Sequence, residues 1–209
     1  MEKKIVVVGG VAGGASFAAR MRRLDEQAEI IMFEKGEYIS FANCGLPYHI
    51  GKTIQKREEL ILQTPKGFKK RYNIDVRTLS EVISVNPEKR TVTVKDSNNI
   101  YNEQYDYLVL SPGSIPVRPP IPGIDSKKIF TLRNITDMDR INSYIEKKNI
   151  KNAVIIGGGF IGIEMVENMK YRDINVTLVE LADQVLPPLD REMASMLNSS
   201  ISKQGVTLY

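Results

Sequence analysis

Two stretches of the chain repeat one hydrophobic script. Ile5-Val6-Val7-Val8 is an unbroken β-branched run closed by Gly9-Gly10, and residues 16–24 continue with helical character. Ala153-Val154-Ile155-Ile156 is closed by Gly157-Gly158-Gly159, and residues 163–171 continue in the same way. A continuous apolar run without alternation marks a strand buried on both faces, as in parallel sheets. Each helix is followed by another strand ending in an acid, Ile30-Ile31-Met32-Phe33-Glu34 and Val176-Thr177-Leu178-Val179-Glu180. The pattern predicts an α/β chain of two doubly wound units.

Between the two scripts the period changes. Val82-Ile83-Ser84-Val85 and Thr91-Val92-Thr93-Val94 flank Asn86-Pro87-Glu88-Lys89-Arg90, which reads as a hairpin. Asn98-Asn99 marks a further turn, and residues 105–110 read as a strand returning to the first sheet. A β-meander inserted in the first unit accounts for this better than a separate module. Residues 111–123 hold five prolines in thirteen positions, too many for helix or central strand, and read as a semi-rigid crossover. The expected division is 1–113 for the first domain, 114–124 for the linker and 125–209 for the second domain. Residues 205–209 read as a strand, so the second sheet is expected to be incomplete and the chain a piece of a longer protein.

Strand, glycine turn and helix form the context a dinucleotide fingerprint requires. In the second unit Gly157, Gly159 and Gly162 fill all three glycine positions, and Glu180 follows Gly157 by 23 residues. The first glycine allows the tight turn, the second admits a pyrophosphate, and the third packs helix on strand. In the first unit Gly9 and Gly14 fill the outer positions, but Val11 occupies the middle one; Glu34 follows Gly9 by 25 residues. Both units are thus Rossmann-like, FAD/NAD(P)-binding in type. The first supplies Gly9, Val11, Ala12, Gly13, Gly14, Glu34 and Lys35 as cofactor-binding candidates. The imperfect turn suits a tightly held FAD and the complete one an exchangeable NAD(P)H. Glu180 should accept hydrogen bonds from an unphosphorylated ribose and repel a 2′-phosphate, so NADH is expected over NADPH, with NADPH possible.

The chain has 209 residues, 42% of them hydrophobic, enough for a core without staples. Met1-Glu2-Lys3-Lys4 leads directly into an apolar run too short for a signal peptide, and no apolar run approaches the ~18 residues of a membrane span. The net charge of +4 suits anionic small molecules. No zinc spacing or recognition-helix pattern points to nucleic acid. One cysteine rules out an internal disulfide framework and fits a reducing, cytoplasmic setting.

That cysteine, Cys44, lies in Ser40-Phe41-Ala42-Asn43-Cys44-Gly45-Leu46-Pro47-Tyr48. Asn43 reads as an N-cap and Pro47 as a first-turn residue, which places Cys44 near a helix N-terminus, where a thiolate is stabilised. With no partner thiol, its oxidised form must be a mixed disulfide, a persulfide or a sulfenic acid. The alternative is a buried, inert cysteine. Arg20, Arg22 and Arg23, and later Lys66, Lys69, Lys70 and Arg71, form basic clusters. They read either as a phosphate-binding rim or as solvated faces.

Gly9 to Ala15, Ser40 to Tyr48, Ser111-Pro112-Gly113-Ser114 and Thr131-Leu132-Arg133 together resemble the coenzyme A-disulfide reductases, a single-cysteine branch of the pyridine nucleotide-disulfide oxidoreductases. The resemblance spans essentially the whole chain. Two-cysteine relatives would carry their second sulfur at position 49, which here is His49, the sole histidine. The resemblance implies FAD, a nicotinamide donor, a homodimer and a mixed disulfide between Cys44 and coenzyme A. It implies coenzyme A contacts at Ser16, Arg20, Arg23, Ser40 and Asn43, and less securely at Arg71 and Tyr72. It makes Phe160 the aromatic gate of a nicotinamide pocket with Glu164 flanking it and Ile161 between; helix packing and solvation are the alternatives for Phe160 and Glu164.

Relatives that reduce oxygen or peroxide through a cysteine sulfenic acid place a histidine in the first glycine turn, where this chain has Ala12. Persulfide- and polysulfide-reducing relatives, often with a fused rhodanese domain, remain an alternative. A non-catalytic nucleotide-binding fragment is a third reading, favoured for the 209 residues alone by the C-terminal portion expected to be missing, since the resemblance implies a partner subunit that helps complete the active site.

Overall fold

The computed structural model describes residues 3–209; Met1 and Glu2, the head of the polar lead-in, lie outside them. The chain divides into two compact units, residues 3–42 with Leu60–Ile115, and Asn43–Glu59 with Pro116–Tyr209.

In the first unit β1 (Lys4–Val8) pairs in parallel with β2 (Glu29–Phe33). The helix α1 (Ala12–Leu24) connects them. The far side of β2 pairs in parallel with β3 (Asp75–Arg77), which follows the short helices α2 (Leu46–Ile50) and α3 (Pro65–Tyr72) in the chain. The sequence reading did not foresee β3, whose Asp-Val-Arg carries almost no apolar signal. Thr64 caps α3 by accepting a hydrogen bond from the Gly67 N–H, and Pro65 opens the helix.

The three strands β4 (Glu81–Asn86), β5 (Thr91–Lys95) and β6 (Ile100–Gln104) form the expected antiparallel meander. The strand β7 (Tyr107–Leu110) then returns to pair with β1, completing the order β3-β2-β1-β7. This explains the unbroken apolar runs. Ile5, Val7, Ile30 and Met32 pack on one face with Ala15, Ala18 and Phe68 of the helices. Val6, Ile31 and Phe33 pack on the other with Val92 and Val94 of the meander.

An ionic cluster ties the meander to the sheet. Glu103 lies 2.7 Å from Lys4 Nζ and accepts a 2.7 Å hydrogen bond from Arg77, which also pairs with Asp75 at 2.8 Å. Burial alone would push the Glu103 carboxyl up, but the hydrogen bonds from Lys4 and Arg77 outweigh it and hold it below the usual carboxylate range.

The second unit repeats the opening script. The strand β8 (Asn152–Ile156) leads through a glycine turn to α5 (Phe160–Lys170) and then to the parallel strand β9 (Asn175–Val179). Before β8 runs α4 (Ile135–Lys148), capped by Asn134, which accepts from the Asp137 N–H. After β9 come α6 (Arg191–Lys203) and β10 (Thr207–Leu208), which pairs in parallel with β9. The region 111–134 holds no regular strand or helix, as its prolines require. Among the described residues no helix is long and apolar enough to cross a membrane.

Candidate functional site

The two glycine turns have the same local geometry. Gly9 sits at φ +98° and Gly157 at φ +102°, the left-handed region that favours glycine. The Gly10 N–H donates to Glu34 at 2.7 Å, and the Gly158 N–H donates to Glu180 at 2.5 Å. Gly14 and Gly162 allow each helix to press on its own turn. A methyl group at Gly14 would stand 1.8 Å from the Gly9 carbonyl oxygen, and one at Gly162 would stand 1.9 Å from that of Gly157.

Val11 now has an explanation. It is the N-cap of α1 at φ −96°, as Gly159 is the N-cap of α5 at φ −74°. Neither φ is positive, so neither position demands the left-handed backbone that favours glycine, although Val11 at ψ −129° lies outside the extended region that Gly159 adopts at ψ −177°. Neither helix receives a side-chain cap, and neither carries an acid in its first turn. The first-turn amides and the positive end of each macrodipole are therefore suited to a pyrophosphate. A Cβ at Gly159 would meet nothing within 4 Å, so the turn is open at that point. The residues fit the two cofactors that the sequence implies.

Around the second turn the loop after β9 folds back, and the Leu186 N–H donates to the Gly158 carbonyl at 2.8 Å. N–H groups of Ala182 and Gly158 hold the Glu180 carboxyl below the usual carboxylate range, against a smaller opposing effect of burial. Glu180 is thus ionised at neutral pH. Phe160 and Ile161 are exposed at the start of α5, and Glu164 is half-buried one turn on. In the first turn Ala12 and Gly13 are exposed, Lys35 is exposed beside Glu34, and the Ser111 hydroxyl would lie 3.1 Å from a Cβ at Gly13.

Cys44 is exposed, so the inert, buried alternative does not apply. Its setting differs from the expected one in detail. Asn43–Gly45 form a 3-10 turn, and Gly45, not Asn43, is the N-cap of α2. Gly45 is already right-handed helical at φ −81° and ψ −15°, so the 3-10 turn runs straight into the helix and leaves Asn43 no capping position. Pro47 takes the expected first-turn place. With α2 only five residues long, its macrodipole is that of a single turn. His49 turns its Nδ1 to the Ile54 carbonyl at 2.8 Å, a local structural contact.

Residues 43–59 fall within the span 1–113 and pack in the second unit. Arg57 donates to both carboxylate oxygens of Asp139 on α4, at 2.9 and 3.1 Å from Nε. Arg172, just past α5, donates to the Ile50 carbonyl at 3.3 Å and to Asn142 Oδ1 at 3.1 Å. None of these partners was evident in the sequence, because the pairs lie 82, 122 and 30 residues apart.

In the first unit Ser16, Arg20 and Arg23 are exposed on one face of α1, spaced as i, i+4 and i+7. Arg71 is exposed and stacks its guanidinium 5.1 Å from the centre of the Tyr72 ring. Ser40 adopts φ +44° and its N–H donates to the Gly10 carbonyl at 2.9 Å, which ties the start of the cysteine motif to the glycine turn. Arg22 leaves the basic rim: it donates to the carbonyls of Asp25, Glu26, Tyr72 and Asn73. It is a clamp between the ends of α1 and α3.

The sequence profile of the family described as pyridine nucleotide-disulphide oxidoreductase matches residues 3–209. The chain belongs to that family. Among pyridine nucleotide-disulphide oxidoreductases similar to it, the coenzyme A disulfide reductase of Staphylococcus haemolyticus is 40% identical over 206 residues, 98% of this chain and 46% of that protein. The chain thus spans about half the length of the curated relatives it matches. The structure of reduced Bacillus anthracis CoADR-RHD superposes with a TM-score of 0.98 at 57% identity, covering 100% of this chain and 38% of that one. A NAD-dependent persulfide reductase from A. fulgidus superposes at 0.95 with 35% identity, covering 99% and 39%. The α/β architecture with two Rossmann-like units is therefore that of this oxidoreductase family.

Proposed function

We propose that the whole protein is an FAD-dependent, NAD(P)H-driven reductase of coenzyme A disulfide, or of the related persulfide or polysulfide, with Cys44 as its redox-active sulfur. The observation that carries the reading is a solitary, exposed thiol built into the unit that also presents a complete dinucleotide turn. The similar proteins named above, a coenzyme A disulfide reductase and a persulfide reductase, support the substrate class.

In this reading the Cys44 thiolate attacks one sulfur of the substrate disulfide. A bond forms between Cys44 Sγ and that sulfur, the original S–S bond breaks, and one coenzyme A leaves as thiolate. FAD, when bound, supplies the two electrons, drawn as hydride from NAD(P)H, that return the mixed disulfide to the Cys44 thiol and a second coenzyme A.

Gly9, Val11, Ala12, Gly13 and Gly14 would hold the flavin pyrophosphate on α1, with Glu34, Lys35 and Asn43 completing the FAD set. Gly157, Gly159, Phe160, Ile161 and Gly162 would hold the nicotinamide dinucleotide on α5, with Glu164 beside the nicotinamide. Ser16, Arg20, Arg23, Ser40, Asn43, Arg71 and Tyr72 would hold coenzyme A, the arginines through charge-assisted bonds to phosphate. The reading extends to a cytoplasmic homodimer.

Intact-mass analysis of non-reduced whole protein, turned over with coenzyme A disulfide, tests this directly. One coenzyme A adduct on Cys44, removed by reductant, is expected. A Cys44 sulfenic acid formed without any adduct would overturn it in favour of oxygen or peroxide reduction.

An ionised Glu180 at the lip of the second turn favours NADH. Glu180→Ala is expected to raise the kcat/KM for NADPH relative to NADH by about tenfold, roughly 1.4 kcal/mol of discrimination. A steady-state comparison of the two donors measures it, and an unchanged ratio would remove Glu180 from the specificity argument.

A further inference from the structure

The helix α5 has business at both ends. Its first residues form the second dinucleotide turn, where Gly162 presses on Gly157. Its far end meets α2, whose first residue follows Cys44 by two. There Asn168 is fully buried. Its Nδ2 donates back to the Glu164 carbonyl at 2.7 Å, while its Oδ1 has no hydrogen-bond partner among the described residues. That Oδ1 occupies the space beside Gly51, where a methyl group would approach it to 2.1 Å. A buried, unpaired carbonyl is unfavourable, and its retention at a helix contact calls for a reason.

Arg172 completes the junction. Its guanidinium side chain is only 10% exposed. It donates to the Ile50 carbonyl, one of the last carbonyls of α2 that no helical N–H can satisfy, and to Asn142 of α4. The exposed pair from Lys52 to Glu146 at 3.5 Å adds little, and Arg172 also reaches the exposed Glu146 carboxylate, at 3.7 Å. A one-turn helix cannot hold its own orientation. The direction in which α2 carries the 43–45 turn is therefore set by the helices it rests on, and α5 is one of the two, with α4.

We propose that Asn168 and Arg172 are positioning residues for Cys44, and that through them α5 couples occupancy of the second dinucleotide turn to the reactivity of the thiol. The coupling rests on the nucleotide reading of that turn made above. Because α5 is rigid, a nucleotide that shifts its N-terminal end shifts the surface on which α2 sits. Coupling between two sites commonly amounts to a 5–150-fold effect.

Iodoacetamide labelling followed by mass spectrometry of the peptide that carries Cys44, the one cysteine of residues 1–209, reports on that thiol. With Cys44 reduced beforehand and the reductant removed, saturating NAD+, which brings no electrons to the thiol, is expected to change the labelling rate about fivefold, the low end of that range. Arg172→Met should reduce the change to less than about twofold while NAD+ affinity, read by calorimetry, is retained. Arg172→Lys, which keeps a donor, should restore part of it. If Arg172→Met does not fold, Asn142→Ala, which removes one of the arginine's acceptors, should weaken the coupling in its place. NAD+ that binds without altering labelling would overturn the coupling and leave the nucleotide site standing. An effect that survives Arg172→Met would also overturn it, since it would mean direct shielding of the thiol. Failure of NAD+ to bind would overturn both.

Discussion

Cys44→Ser in the whole protein is expected to lower NAD(P)H oxidation driven by coenzyme A disulfide by a thousandfold or more, about the loss seen when an attacking nucleophile is removed. Serine is nearly isosteric, but its oxygen cannot form a bond to sulfur that electrons later cleave. Residues 1–209 offer no replacement, because they hold no second cysteine. The flavin should remain, since every proposed FAD contact except Asn43 lies in the other unit, on the first turn and the end of β2. A yellow protein without disulfide reduction is therefore the expected phenotype, read from the flavin spectrum and an anaerobic assay. A variant that reduces coenzyme A disulfide at the normal rate would show that Cys44 is not the sulfur that reacts.

The exposure of Cys44 matters here because substrate must reach it in line with the bond that breaks. The sequence motif pointed to the thiol proposed to react. It did not convey what holds that residue. The anchors Arg57–Asp139 and Arg172–Ile50 join positions that neither share an element nor obey a spacing rule. Arg172 in particular reads as one more charged residue after a helix. Arg22 shows the converse error, since it sits in a basic run that reads as a rim and spends its guanidinium on four carbonyls. The geometry of nearby helix ends decides between these roles, and no local pattern encodes it.

The parts that were legible follow local rules. The parallel strands β1 and β2 are buried on both faces, which forces unbroken apolar runs, whereas β8 leaves Val154 and Ile156 largely exposed although its run reads the same way. The meander alternates because its β5 buries Val92 and Val94 on one side only. Pro65 and Thr64 mark the start of α3 by covalent geometry and hydrogen bonding alone. β3 escaped because an edge strand three residues long needs little hydrophobicity when one neighbour supplies its pairing. Val11 looked like a defect because the fingerprint is written as letters, whereas the turn is built there at a negative φ, which does not demand glycine.

That distinction between letters and geometry separates the glycines experimentally. Gly14→Ala is expected to destabilise the first unit by about 3 kcal/mol, the top of the usual range for overpacking, because the new methyl group would stand 1.8 Å from a backbone oxygen and 3.1 Å from Val7. Neither neighbour can yield without lifting α1 off β1. For a chain of this size the melting temperature should fall by roughly 6–12 °C. Gly162→Ala should do the same to the second unit, where the contact is 1.9 Å. Gly159→Ala meets open space at φ −74°, so its stability should stay within about 0.5 kcal/mol of the parent. Its cost should appear in NADH affinity instead, where the methyl group would occupy ground meant for phosphate. Calorimetry with nucleotide titration distinguishes the two behaviours. Equal melting temperatures for Gly14→Ala and the parent would mean that helix and strand are less closely apposed than described, and with that the case for a preformed pyrophosphate cradle on α1 would fail.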